Sequence, residues 1–253
     1  MPKFESFDGV KLSYEVDGDG PPVVLLHGFV ADSYINWVRP GVIGRLNAAG
    51  FKTIALDQRG HGLSDKPHDL AAYADGAMLR DAQTLLDMLG LDRCAMVGYS
   101  MGAMNTLRLL ASGEARIRTA VLGGIGGSLL LAREGGTEIL AEAMEATDKS
   151  TITNTFAKSF RDFADLTKGD KQAFAAIQRQ PRTAIEGIVG IGVPVLVLVG
   201  DNDPMIGDPQ ELADKIPGAK SAVVGGSHLN VVNNPQFHEE LVSFLSDHRW
   251  EVG

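Results

Sequence analysis

The chain has 253 residues and a net charge of -9, with 44% hydrophobic and 22% charged residues. That balance fits a soluble globular protein with room for one large α/β domain, and an acidic surface disfavours a nucleic-acid or anionic-membrane partner. Cys94 is the sole cysteine, so no internal disulfide can form, and no Cys/His spacing suggests a metal or other cofactor.

In chain order, the start M-P-K-F-E-S-F-D-G carries no apolar signal-peptide core, and the longest apolar runs are too short for a bilayer; a cytoplasmic location is expected. K-F-E-S-F and V-K-L-S-Y-E-V alternate apolar and polar residues around Asp8-Gly9 and predict an antiparallel hairpin. Continuously apolar runs follow at Val23 to Leu26, Thr53 to Leu56, Ala95 to Val97 and Val193 to Val199. Shorter ones lie at Ala120 to Leu122 and Ser221 to Val224. Such runs suit strands covered on both faces.

Helical patterns separate them. Ala74 to Leu89 presents Leu79, Ala82, Leu85, Leu86 and Leu89 on one face, with Gly90 as the expected cap. Met101 to Ala111 and Pro235 to Leu245 are helical as well. Strands alternating with helices predict an open, mostly parallel sheet with helices on both faces. The alternation breaks over 125–191, where helical stretches are expected at Leu129 to Arg133, Thr137 to Glu145, Thr153 to Leu166 and Lys171 to Arg179. Phe156, Phe160 and Phe163 fall on one face of the third. A helical insertion over the carboxyl edge of the sheet would bury that face and line a pocket with it.

V-G-Y-S-M-G, Val97 to Gly102, sets Ser100 between two glycines, after an apolar run and before a helix. Tight strand-to-helix turns need small neighbours, and the helix N-terminus offers free N–H groups. A serine hydroxyl is a poor nucleophile without a base, and the base needs an orienting acid. Of six histidines, His228 in G-G-S-H-L-N lies in a loop between a late strand and the last helix, the place for a loop-borne base. The run Val193 to Val199 ends in G-D-N-D-P, where Asp201 and Asp203 are both natural turn residues and position does not choose between them.

Four segments, L-L-H-G-F at Leu25 to Phe29, D-Q-R-G-H-G-L-S at Asp57 to Ser64, G-Y-S-M-G at Gly98 to Gly102, and G-D-N-D-P followed by G-S-H, stand in an order that resembles the α/β-hydrolase superfamily over nearly the whole length. The resemblance implies the α/β-hydrolase fold, with a core of residues 1–124 and 192–253 and a helical lid at 125–191. It implies a Ser100–His228–Asp203 triad, since the acid of single-lid members stands three positions after the glycine ending the strand. The amides of Phe29 and Met101 would then form the oxyanion hole. His27 would brace that loop, and Asp57, Arg59 and His61 would form a structural one. Phe29, Tyr99, Trp37, Phe156 and Phe160 are the expected substrate-binding side chains.

A serine nucleophile argues against the dehalogenase and epoxide-hydrolase branches, which use aspartate. The expectation is a serine esterase of the esterase and haloperoxidase-like branch, acting on a small acyl or ester substrate with an apolar group and requiring no cofactor. A perhydrolase of haloperoxidase type, a carbon–carbon bond hydrolase and a non-catalytic binding protein are the alternatives.

Overall fold

The computed structural model describes residues 1–74, 76–130, 136–181 and 183–251. Its eight strands form one sheet: β1 (Lys3–Glu5), β2 (Lys11–Asp17), β3 (Pro22–Leu26), β4 (Lys52–Leu56), β5 (Cys94–Tyr99), β6 (Ile117–Gly123), β7 (Val195–Gly200) and β8 (Lys220–Val224). The order across the sheet is β1-β2-β4-β3-β5-β6-β7-β8. β1 pairs antiparallel with β2, and β2 with β4. The other pairings are parallel.

Alternate residues of the central strands feed opposite faces, the period-2 rule of a pleated strand. Val24 and Leu26 of β3 pack with Met96 and Val197 beneath α2 (Ala77–Met88), α3 (Met101–Ala111) and α7 (Pro209–Ala213). Val23 and Leu25 pack with Val97 and Leu198 against α1 (Val42–Ala48) and α8 (Pro235–Asp247). Each fully buried Leu, Val or Phe in these layers contributes about 1.5–3 kcal/mol. Cys94 lies buried at the start of β5 in the first layer, and burial pushes its thiol up to about 12.

Between β6 and β7 the chain forms α4 (Gly136–Glu145), α5 (Thr155–Thr167) and α6 (Lys171–Gln178), with no strand among the described residues. Caps fix two of these starts. Asn154 accepts the Ala157 amide and Asp170 the Gln172 and Ala173 amides. A third core cluster joins these helices to the sheet's carboxyl edge: Leu140, Met144, Phe160 and Phe174 meet Phe29 and Met101. The helix expected over Leu129 to Arg133 is represented only by a 3₁₀ turn at Gly127–Leu130; 131–133 lie outside the described residues.

Candidate active site

Three elements converge at the carboxyl edge. β5 ends at Tyr99, and Ser100 turns the chain into α3 with φ +51°. A non-glycine residue there is strained by about 1–3 kcal/mol and must be held by its surroundings. The Ser100 amide donates to the Gly123 carbonyl at 2.7 Å and the Ser100 carbonyl accepts from Met104 at 3.0 Å. The flanking glycines are a steric requirement. A Cβ on Gly102 would overlap the Leu26 carbonyl, and one on Gly98 would overlap the Gly102 carbonyl.

Ser100 Oγ lies 2.9 Å from His228 Nε2, and His228 Nδ1 lies 2.5 Å from Asp203 Oδ2. With Nδ1–H donating to the carboxylate, Nε2 is free to accept the serine proton. The second Asp203 oxygen accepts the Met205 amide at 3.0 Å, which fixes the carboxylate plane. Asp201 turns away: its carboxylate accepts the Gly226 amide at 2.9 Å and the Asn202 side chain at 3.0 Å. Both aspartates are turn residues, but only Asp203 reaches the histidine.

The loop after β3 approaches from the other side. His27 is fully buried, donates from Nδ1 to the Gly28 carbonyl at 2.8 Å and accepts the Gln58 amide on Nε2 at 2.9 Å. Gln58 returns a bond to the His27 carbonyl at 2.7 Å and accepts one from Asn105 of α3 at 2.8 Å. This chain of bonds ties the His27-Gly28-Phe29 loop to the helix that starts at Met101. The amides of Phe29 and Met101 have no acceptor among the described residues. Val30 follows with φ +67°, rare for a β-branched residue, and its amide donates to His61 Nε2 at 3.3 Å. His61 in turn donates from Nδ1 to the Arg59 carbonyl at 3.0 Å. Burial holds His27 below the usual histidine range and His61 well below it, so both are neutral.

Arg59 anchors this second loop. Its guanidinium is fully buried and meets Asp81 at 2.6 Å and Asp8 at 2.9 Å. Asp57 accepts the Ser33 amide at 2.9 Å and the Leu63 amide at 2.8 Å. Asp57, Arg59 and His61 are thus joined to other parts of the protein, and none lines the cavity at Ser100.

That cavity measures only about 20 Å³ and is lined by Phe29, Asn36, Tyr99, Ser100, Phe160, Phe163, His228 and Leu229 with two small residues. Roughly one water-sized group fills such a volume. A larger hollow, about 680 Å³, lies among Met144, Arg161, Lys171 and Arg179 on the α4–α6 helices and contains neither Ser100 nor His228. Proximity to the Ser100–His228 pair, not size, identifies the candidate site. Among the described residues no group of three His, Cys, Asp or Glu side chains could hold a metal ion.

Two expected substrate-binding residues lie elsewhere. Trp37 is fully buried on the opposite side of its turn, within the layer of α1 and α8. Phe156 is 38% exposed and meets Phe160 edge-to-face, with centroids 5.0 Å apart. It supports the lining rather than forming it. Tyr99 does line the cavity, but its hydroxyl is committed to the His228 carbonyl at 2.6 Å. Sequence reasoning missed Asn36 and Leu229 as lining residues, and assigned Phe163 to the helix face without naming it as substrate-binding.

A family model described as the α/β hydrolase fold matches residues 21–164. A non-heme chloroperoxidase of Kitasatospora aureofaciens is 28% identical over 97% of this chain and 100% of its own length. The enol-lactonase of Burkholderia xenovorans LB400 has 26% identity and a TM-score of 0.71, covering 96% of this chain and 99% of that one. An esterase of Exiguobacterium antarcticum, at 24% identity, shares the fold with a TM-score of 0.78 over 96% of this chain and 98% of its own.

Proposed function

The chain belongs to the α/β-hydrolase family and is a hydrolase, and from that premise we propose that it cleaves carboxylic esters of small acyl groups through an acyl-enzyme on Ser100. The observation that carries this reading is the unbroken hydrogen-bonded line Ser100–His228–Asp203 beside the cavity. Ser100 attacks the ester carbonyl as its proton passes to His228 Nε2; the carbonyl π electrons move onto oxygen. His228 then protonates the leaving alcohol as the C–O bond breaks. Water, deprotonated by the same nitrogen, releases the acid and restores Ser100. Asp203 holds the imidazole orientation and offsets its positive charge. The unpartnered amides of Phe29 and Met101 receive the oxyanion, with the His27–Gln58–Asn105 chain setting their separation.

We further propose that residues 125–191 act as a lid over a core of 1–124 and 192–253, with Phe160 and Phe163 of α5 as its inner face. The narrowness of the cavity supports a short acyl group. Ser100→Ala should lower turnover of 4-nitrophenyl acetate by at least ~10³-fold and abolish covalent labelling by an organophosphonate. Undiminished turnover would remove Ser100 from the reaction, and labelling without turnover of any ester would indicate a binding protein.

The full-length likeness to a non-heme chloroperoxidase favours a second reading, in which hydrogen peroxide takes the place of water and the acyl-enzyme yields a peroxy acid. Peroxide-dependent halogenation in acetate buffer, lost in Ser100→Ala, separates this from simple hydrolysis.

A further inference from the structure

Asn36 sits in a π-helical turn, Tyr34–Val38, where an extra residue is inserted into the backbone ladder. Such turns recur at functional sites. The residue is only 6% exposed and lines the cavity shared by Ser100 and His228. Its orientation is fixed by chemistry: the Gly28 amide can only donate, so the atom 2.7 Å from it must be the oxygen, Oδ1. The other end, Nδ2, carries two N–H donors and bonds to no acceptor among the described residues. Nδ2 is not among the fully enclosed side-chain atoms that lack a partner, so it opens onto the cavity, and a cavity that presents an unpaired donor is matched to a ligand that brings the acceptor.

We propose that Asn36 is a specificity residue whose Nδ2 donates to a second oxygen of the substrate, carried by the acyl chain close to the ester carbonyl. This rests on the acyl-enzyme reading above. The two free amides of Phe29 and Met101 already serve the carbonyl oxygen, so a third donor is available for a different atom. His228 must protonate the departing alcohol, which places the alcohol on the histidine side. Asn36 is bonded to Gly28, next to the Phe29 amide that is proposed to take the carbonyl oxygen, and is therefore assigned to the acyl portion. Phe29, Phe160, Phe163 and Leu229 offer no side-chain hydrogen bond, and the Tyr99 hydroxyl proton is committed to the His228 carbonyl. The favoured substrate class is therefore an ester or lactone of an oxygen-bearing short acid, such as an alkoxy-, hydroxy- or ketoacyl compound, over a plain alkanoyl ester.

An isosteric pair tests this: 4-nitrophenyl methoxyacetate and 4-nitrophenyl butanoate differ by one oxygen in place of one methylene. For the wild-type protein, kcat/KM divided by the hydroxide rate constant should be higher for the methoxyacetate. In Asn36→Leu the ratio of the two kcat/KM values should fall by roughly tenfold, the loss of one hydrogen bond. Asn36→Asp keeps an oxygen for the Gly28 amide while removing both donors, and should shift the ratio the same way. Because the readout is a ratio within one variant, uniform damage to the fold or to the oxyanion hole cancels, and the wild-type comparison needs no variant. An unchanged ratio in both variants, or a wild-type preference for butanoate, overturns the assignment while leaving the Ser100 reading intact. Hydrolysis of neither ester, with no phosphonate labelling, would instead overturn the acyl-enzyme reading itself.

Discussion

The Tyr99 hydroxyl donates a 2.6 Å hydrogen bond to the backbone carbonyl of His228, a residue 129 positions further along the chain. The residue before the proposed nucleophile thus holds the loop that carries the proposed base. Burial pushes the Tyr99 phenol well above its usual range, so it stays a donor at every working pH. Removing this one bond in Tyr99→Phe should lower kcat by about fivefold, with KM nearly unchanged, because a hydrogen bond of about 1 kcal/mol is lost from loop positioning and none from substrate. A change confined to KM would show that the hydroxyl serves binding instead.

The two aspartates of G-D-N-D-P separate cleanly by their partners. Asp203→Asn should cost about 10³-fold or more in kcat, since the amide can offer its N–H to His228 Nδ1 and impose the wrong tautomer. Asp201→Asn keeps an oxygen for the Gly226 amide and should cost less than about threefold. Steady-state rates with one nitrophenyl ester decide; the reverse ranking would displace Asp203 from the proposed triad.

Phe160 is the residue we propose to set the size limit. It is buried, lines the cavity, and its ring centroid lies 6.0 Å from that of Phe29. Phe160→Ala should raise kcat/KM for hexanoyl and octanoyl esters relative to acetyl by about tenfold, while costing about 3 kcal/mol or more of stability from the lost core contacts. A chain-length profile shows the outcome, and an unchanged profile would mean that another residue closes the site.

Acid should weaken the fold before its carboxylates titrate. His27 and His61 are both neutral and buried, with ring centroids 4.9 Å apart, and both have folded pKa values held down by burial. Above about pH 6.5 the folded and unfolded states bind the same number of protons at these two sites. Below it the unfolded chain takes up protons that the folded one refuses, so stability falls with falling pH by up to ~1.4 kcal/mol per pH unit for each histidine. Urea midpoints measured between pH 7.5 and 5 should decline, and His61→Gln should flatten the slope. A pH-independent midpoint would mean that the protonated rings are accommodated.

Much of this was legible in the sequence because the signals are local. Continuous apolar runs mark β3, β5 and β7, and glycines mark the turn that Ser100 must make. The family resemblance supplied the choice of Asp203, which residue types alone left open, since that choice depends on how the loop directs two equally turn-prone side chains. The Asn36–Trp37 pair shows the opposite case. Trp37 is expected among the substrate-binding side chains, but it lies in a π-turn, which inserts one residue into the backbone ladder. Asn36 meets the cavity and Trp37 enters the core. No hydrophobic period announces such an insertion. α1 and α7, at seven and five residues, are likewise too short to print a clear helical period.

The burial of Cys94 has a practical consequence. Its thiol is fully shielded and its pKa is raised to about 12, so at neutral pH it is neither exposed to alkylating reagents nor ionised to react with them. The natural chain is therefore already a silent background for thiol chemistry. A cysteine placed at the exposed Lys158, on the outer side of α5, would be the one site a maleimide dye can reach. Its fluorescence would then report on the proposed lid through a catalytic cycle, with no need to engineer away the native thiol.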